Sequence, residues 1–217
     1  MQALAKLFFP LAASVALSGS VSAAPINDPI GDFLPSFVGT KGGDLDVVRA
    51  DVSLVGNSSF LFFGQLNGTI GTTAGGFYVF GLNRGAGTER FNSGITPVGA
   101  GVFFDSVVVI RPDGTGTVNL LGLGGGATPF SGVTIAGDTF SINLPVTLFP
   151  TQGFSFANYG WNLWPRNGVG LNTQISDFAP DASTPRVDRV PIPGTASLLA
   201  LGGLMAAGFM RRRKSDA

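Results

Sequence analysis

The chain contains 217 residues with a formal net charge of zero, and it has no histidine, no cysteine and a single glutamate, Glu89. These absences exclude histidine-based triads and proton transfer, thiol nucleophiles, zinc sites built on histidine or thiolate, and disulfide bonds. Residues 25–190 carry eight basic and twelve acidic side chains, a net charge of −4, which argues against nucleic acid as a partner. The length fits one domain flanked by terminal segments.

Residues 1–23 have the pattern of a secretory signal peptide. Lys6 supplies the positive charge, an apolar run follows from Leu7 to Leu17, and small residues lead to Ala23. The alternative is an N-terminal membrane anchor, but the apolar run is too short to span a bilayer. We therefore expect export, cleavage after Ala23 and a mature chain that begins at Ala24.

The body of the chain, residues 24–178, consists of short apolar runs separated by Gly, Asn, Asp and Pro. In the first run, from Leu45 to Val55, alternation predicts that Val48, Ala50, Val52 and Leu54 share one face. Turn signals separate later runs, namely Gly56-Asn57, Pro112-Asp113-Gly114 and Gly137-Asp138. The pattern predicts eight or nine strands and an all-β fold, an antiparallel β-sandwich of jelly-roll-like type.

Residues 179–189 are predicted to form a spacer between this domain and the tail. They include Pro180, Pro185 and several charged residues, a composition typical of a segment that does not pack.

The tail combines an apolar segment with a basic run. Thr195 to Met210 gives 16 uncharged residues, which as a transmembrane helix would extend about 24 Å, somewhat less than a hydrocarbon core of about 30 Å. Four basic residues follow, Arg211, Arg212, Arg213 and Lys214. Such a run stays on the cytoplasmic side of the inner membrane, so the body is expected outside that membrane.

Residues 190–214 resemble the PEP-CTERM sorting signal of Gram-negative bacteria, which has a Pro-Glu-Pro core, a short transmembrane helix and a terminal arginine cluster. The core is formed here by Val190, Pro191 and Pro193, with Ile192 in the place of the glutamate. The resemblance implies recognition by an exosortase, a membrane transpeptidase-like enzyme that processes the tail during export. A plain C-terminal membrane anchor is the alternative.

Four carboxylates lie in glycine-rich sequence near the first strand: Asp28, Asp32, Asp44 and Asp46. Calcium prefers several oxygen ligands, and glycine lets backbone carbonyls turn towards an ion, so these residues are candidate calcium ligands. Their spacing does not match an EF-hand loop. The alternative is that they are solvated residues that cap turns.

This acidic opening, together with the later run Phe77 to Phe91, is similar to the DOMON and family-nine carbohydrate-binding sandwiches. The similarity is one of layout over some 60 residues, an acidic N-terminal segment before a strand and a later aromatic-rich strand. It implies a ligand-binding sandwich without assigning a residue to the ligand.

Three aromatic residues near the end of the body are candidates for stacking on a sugar ring: Tyr159, Trp161 and Trp164. On a strand, Tyr159 and Trp161 would share one face and Trp164 would point to the other. The alternative is that these side chains pack in the core or at its edge.

These observations favour a non-catalytic protein of the cell surface or extracellular medium, a structural or adhesive component of a matrix that contains exopolysaccharide. The alternatives are a calcium-dependent carbohydrate-binding module and an Asp-dependent glycoside hydrolase. The hydrolase needs two carboxylates about 5 to 10 Å apart in a cleft, with Asp105 and Asp138 as candidates. Apart from possible calcium, no cofactor is expected.

Overall fold

The computed structural model describes residues 25–122, 124 and 126–190, which form two packed β-sheets. The predicted signal peptide and the tail after Val190 lie outside these residues. The strands of the described part are β1 (Ile26–Asn27), β2 (Val47–Val55), β3 (Ser59–Leu66), β4 (Phe77–Asn83), β5 (Ser106–Ile110), β6 (Thr115–Leu120), β7 (Thr128–Ser131), β8 (Thr134–Ala136), β9 (Thr139–Pro145), β10 (Gly160–Arg166) and β11 (Asp188–Val190).

The predicted all-β sandwich is confirmed. The first sheet has the order β1-β2-β3-β9-β8, with β11 also paired to β2, and the second has the order β10-β4-β5-β6-β7. All pairs are antiparallel except β11 with β2. Strands β4 to β7 are sequential neighbours, which is the order of a meander and differs from the expected jelly-roll-like arrangement. Direct hairpins such as that between β5 and β6 keep consecutive strands in the same sheet.

Strict alternation in β3 shows how the strands make the core. Phe60, Phe62 and Leu66 are buried between the sheets, whereas the intervening side chains are only partly covered. Gly64 takes the remaining inward position, and a Cβ there would lie 2.4 Å from Cζ of Phe140 on the neighbouring β9. The absence of a side chain at Gly64 therefore lets the ring of Phe140 lie across β3. Periodicity alone does not reveal this reason for a glycine inside a strand.

The predicted inward face of β2 is correct for three of its four residues. Ala50, Val52 and Leu54 are buried in the core, but Val48 is only half-buried and Val47 is buried in its place. The pairing of β2 with β3 shifts register between Val47 and Arg49. A β-bulge at this point reverses the alternation, so Val47 instead of Val48 faces inward.

The three predicted turns lie where the sequence places them. Gly56 and Asn57 have φ of 55° and 57°, two left-handed residues within the three-residue connection between β2 and β3. Gly114, after β5, and Gly137, after β8, have φ of 81° and 63°. These conformations favour glycine and set the register of the hairpins that follow.

Residues 179–189, predicted as an unpacked spacer, are instead part of the fold. Ala179 and Leu163 exchange backbone hydrogen bonds of 2.8 and 3.0 Å, and Val187, which is buried, donates to the carbonyl of Tyr159 at 2.9 Å. Residues 188–190 then form β11 beside β2. Composition was misleading because the open backbone edge of β10 needs hydrogen-bond partners, and this segment supplies them despite its polar side chains.

Helical structure in the described residues is limited to four 3₁₀ turns of three residues each, Gly43–Leu45, Val146–Leu148, Phe156–Asn158 and Asn172–Gln174. None of the helices in this part of the chain is long and apolar enough to cross a membrane.

Candidate functional site

Three aspartates from opposite ends of the domain meet at one point. Asp28 follows β1, Asp32 lies in the next turn, and Asp177 lies beyond β10. One carboxylate oxygen from each residue lies within 4.8 Å of those of the other two. The cluster therefore joins the start of the domain to its C-terminal segment.

The N-terminal half of the cluster is held in place by Asp46. Both carboxylate oxygens of Asp46 accept hydrogen bonds from the backbone N–H of Gly31, at 3.1 and 2.9 Å, and one also accepts from Nδ2 of Asn67. Gly31 has a φ of 83°, a left-handed conformation that lets the chain turn between Asp28 and Asp32. Asp28 is further fixed by a 3.1 Å hydrogen bond from its N–H to the carbonyl of Val48.

Asp177 is fully buried and is anchored by backbone donors. Its Oδ2 accepts from the N–H of Val47 at 2.8 Å, and its Oδ1 accepts from the N–H of Phe178 at 2.7 Å. Each oxygen keeps a lone pair because a carboxylate oxygen can accept two hydrogen bonds or bind a cation as well.

The negative charge of the cluster is not neutralised by any basic side chain of the described residues. Oδ2 of Asp28 and Oδ1 of Asp32 are buried atoms without a hydrogen-bond partner, and in the described chain no Lys or Arg nitrogen lies within 4.0 Å of any of the three carboxylates. Burial, followed by the charges of Asp177 and Asp32, raises the pKa of Asp28 to about 8. Burial is also the main cause that raises the pKa of Asp177 to about 7. Three carboxylates this close can therefore be neutralised either by protons or by a bound cation.

The donor set fits a hard divalent cation. Calcium binds six to eight oxygens at about 2.4 Å, so two of its ligand atoms can lie up to about 4.8 Å apart. The three carboxylates meet this limit. Backbone carbonyls, water or the nearby Asp181, whose pKa is raised by burial and by the charge of Asp32, could complete the shell. Such an ion would link two chain segments, and the chain has none of the histidine or cysteine ligands of structural zinc sites.

The structure brings together two of the four aspartates predicted as calcium ligands. Asp44 instead accepts hydrogen bonds from the backbone N–H and the hydroxyl of Thr73, so it holds a loop, and Asp46 positions Gly31. The alternative interpretation, solvated residues that cap turns, is correct for Asp44 and Asp46 in that they hold turns, but both are buried, not solvated. Asp177 was not among the predicted ligands, and its only signal in the sequence is an acidic residue between Ile175-Ser176 and Phe178-Ala179.

The three aromatic residues predicted to stack on sugars are buried. Tyr159, Trp161 and Trp164 have exposed fractions of 0, 2 and 1%. Tyr159 and Trp161 lie in the core between the sheets, and Trp164 packs on the other side of β10, so the predicted division between two faces is correct. A ring must be exposed to contact a sugar, and the core-packing alternative therefore applies to all three.

The two candidate hydrolase aspartates have separate structural roles. Both oxygens of Asp105, which is 2% exposed, are occupied by Nε of Arg84 and by the backbone N–H groups of Arg84 and Ala86. Asp138 accepts a hydrogen bond from Gln65 in the turn after β8. A buried carboxylate that is ion-paired with an arginine does not reach a glycosidic bond to act as a general acid.

Of the predicted sorting motif, only Val190 lies within the described residues. It is the last residue of β11 and is 38% exposed. Pro191, Pro193 and the basic run Arg211 to Lys214 lie outside the described part.

Comparison of the chain with protein-family models, curated proteins and solved structures found no match.

Proposed function

We propose that this chain is an exported, non-catalytic protein of the cell surface or extracellular matrix, with a β-sandwich that binds calcium at Asp28, Asp32 and Asp177. The observation that carries the proposal is the convergence of these three carboxylates, within 4.8 Å, with no basic side chain of the described residues as a partner. The role as a structural or adhesive component of a polysaccharide-containing matrix rests on the export and sorting signals of the sequence.

Calcium would act as a crosslink in a domain that has no cysteine. Metal binding stabilises the folded state because the complete site is absent from the unfolded chain. Here it would fasten the segment that carries Asp28 and Asp32 to the segment that carries Asp177. Calcium sites of extracellular modules have dissociation constants of about 0.1 to 1 mM, and we expect an affinity of this order.

The C-terminal tail is the proposed sorting device. Its Pro-x-Pro core, apolar segment and basic run support processing by an exosortase-type enzyme while the chain passes through the inner membrane. The last strand of the described residues ends at Val190, directly before Pro191. Processing near Pro193 would therefore release the entire sandwich at the surface or into the medium.

Two observations support a non-catalytic role. Asp105 is buried with all of its oxygens occupied, and Asp138 is hydrogen-bonded in a turn, so neither of the two sequence candidates has the setting of a glycosidase acid. A screen of common glycosides, esters and peptides is expected to give no turnover. Turnover abolished by one Asp→Asn change would establish the hydrolase alternative instead.

Calcium titration of the full chain in mild detergent tests the metal site. Isothermal calorimetry with calcium chloride is expected to show one site, and the melting temperature is expected to rise with calcium and fall with EDTA. Asp28→Asn and Asp32→Asn should each weaken the affinity about tenfold or more, because each removes a charged ligand whose buried oxygen has no other partner.

The matched control is Asp113→Asn, which changes an exposed aspartate in the turn between β5 and β6. It should leave calcium affinity unchanged. Equal affinities in the Asp28 and Asp113 variants, or the absence of any calcium effect on melting, would overturn the proposed metal site.

A further inference from the structure

A shallow groove at one end of the second sheet shares no lining residue with the aspartate cluster. It forms where the end of β4, the start of β10 and the segment before β11 meet. Its lining residues are Asn83, Phe154, Asn158, Gly160, Thr184 and Arg186. Phe154 is 41% exposed, and Arg186 is also exposed. An exposed ring beside a cation is an arrangement that the core and the metal cluster do not explain.

Backbone hydrogen bonds hold the chain around Phe154 in place before any ligand binds. The N–H groups of Gln152 and Phe154 both donate to the carbonyl of Arg84, at 3.1 and 3.0 Å. Gly85 has a φ of 123°, and a Cβ at this position would lie 2.6 Å from the carbonyl oxygen of Gln152. The loop therefore packs closely against the end of β4, which reduces the entropy lost when a ligand contacts the ring.

The polar side chains of the groove present mainly hydrogen-bond donors. Oδ1 of Asn83 already accepts from the N–H groups of Gly85 and Gly87, both at 3.0 Å, which leaves its two amide protons as donors. Arg186 makes one long contact, 3.5 Å from Nη1 to Oδ1 of Asn158, and no carboxylate of the described residues lies within 4.0 Å of it. A ligand that supplies acceptors, including an anionic one, matches this set.

A bound peptide strand is a poor match because the neighbouring sheet edge is already paired. The N–H of Trp161 donates to the carbonyl of Pro185 at 2.9 Å, and the N–H of Val187 donates to the carbonyl of Tyr159 at 2.9 Å. Residues 185–187 of the same chain thus occupy the edge of β10 with which an added strand would pair.

The charges of the groove and of the surrounding domain also limit which anionic ligands fit. Among the residues that the structure describes, Arg186 is the only basic one that lines the groove, and residues 25–190 have a net charge of −4. One guanidinium therefore matches a ligand that places a single anionic group in the groove. A sugar acid offers an apolar ring face, hydroxyl acceptors and one carboxylate, and an aromatic ring, amide donors and one guanidinium complement these three features.

We propose that this groove binds a uronic acid unit of a polysaccharide, with Phe154 against the sugar ring, Arg186 on the carboxylate and Asn83 donating to hydroxyl oxygens. The proposal rests on the matrix location proposed above for its biological setting, but the groove itself is independent of the metal cluster. It names the class of matrix polymer that the protein would hold.

Oligogalacturonates and their methyl esters are the probes, because esterification removes the charge and keeps the sugar. Binding to the full chain in mild detergent is measured by calorimetry in EDTA, since calcium held by the aspartate cluster could itself attract a carboxylate. We expect binding that survives EDTA and the Asp28→Asn change, and that falls about tenfold on esterification. Phe154→Ala and Arg186→Gln should each weaken it about tenfold.

Arg189→Gln is the matched control, since Arg189 is also exposed and lies three residues further on, in β11. Ile95→Ala removes an exposed apolar side chain outside the groove. Both variants should bind as the parent protein does. No binding to oligogalacturonate, equal losses in the Arg186 and Arg189 variants, or tighter binding of an acidic peptide would overturn the groove proposal. Calcium affinity, measured on the same variants, separates such a failure from a failure of the metal site.

Discussion

Arg84 and Asp105 form a buried ion pair that joins the end of β4 to the start of β5. Nε of Arg84 lies 2.7 Å from Oδ1 of Asp105, and their side chains are 0 and 3% exposed. Nη1 of Arg84 also donates to the carbonyl of Pro150 at 2.8 Å. The pair thus holds together three parts of the chain, including the loop that leads to Phe154.

Asp105→Asn is expected to destabilise the domain by about 3 to 5 kcal/mol, because the guanidinium would stay buried without its counterion. Urea unfolding of the variant gives this value. The double variant Arg84→Met, Asp105→Asn should lose less than the sum of the two single variants, since it buries no unpaired charge. Additive losses, or a loss of less than about 1 kcal/mol for Asp105→Asn, would contradict this role of the pair.

Both tryptophans of the chain are expected to report a buried environment. Trp161 and Trp164 are 2 and 1% exposed, so their fluorescence should be blue-shifted and acrylamide should quench it weakly. Trp161→Ala should cost about 3 to 5 kcal/mol of stability through the cavity it leaves. Phe154→Ala, at an exposed ring, should change stability by less than about 0.5 kcal/mol. Strong quenching in the folded protein would contradict this placement of the tryptophans.

The sandwich could be predicted from sequence because its signals are local. Alternation in Ser59–Leu66 and the turns at Gly56-Asn57 and Gly137-Asp138 each involve a few neighbouring residues. The bulge at Val47 breaks the alternation of β2, and the composition of that strand does not indicate it. The packing of residues 179–189 depends on the unpaired edge of β10, which is a property of the assembled sheet.

The candidate sites were less predictable because they combine distant segments. Val47 and Asp177, joined by the hydrogen bond that anchors the third carboxylate, are 130 positions apart. The groove draws Asn83 from the end of β4, and Phe154 and Arg186 from two separate connections. The sequence drew attention to Trp161 and Trp164 because of their type, but large aromatic rings also fill cores, and only the structure distinguishes the two uses.

Asp51 and Asp188 should make the last strand sensitive to pH. Asp188 of β11 lies in register with Ser53 of β2, two residues after Asp51. Burial, then the charge of Asp51, raises the pKa of Asp188 to about 6. The folded state therefore keeps this proton when the unfolded chain has lost it, so the stability from this group falls as the pH rises from about 4 to above 6.

Asp51→Asn should lower the pKa of Asp188, because it removes the like charge while an amide oxygen can still accept from Ser53, as Asp51 does. NMR titration of the Asp188 carboxyl carbon measures the shift. At pH 7 the variant should be more stable than the parent by less than about 1 kcal/mol, and the two should converge near pH 4. Asp113→Asn is the control. An unchanged Asp188 titration in Asp51→Asn would contradict the coupling.

Truncation should locate the end of the folded domain. A stop after Pro193 leaves β11 intact and should not change the free energy of unfolding, whereas a stop after Val187 removes β11. The shorter chain should lose about 1 to 3 kcal/mol, since backbone groups of β2 lose their partners. Equal stability of the two truncations in urea unfolding would show that β11 contributes nothing to the domain.

The basic run should direct export without affecting the fold. Arg211, Arg212, Arg213 and Lys214 follow an apolar segment of 16 residues, and positive charge at that end would hold it on the cytoplasmic side. Deleting Arg211 to Lys214 should therefore misplace or mis-thread the protein, while its tryptophan fluorescence and calcium affinity match those of the parent. Mass spectrometry of the extracellular form should show a new C-terminus near Pro193, because the resemblance to the PEP-CTERM signal implies processing at the Pro-x-Pro core. An intact terminus that ends in RRRKSDA on the extracellular protein would mean that the tail is a permanent anchor.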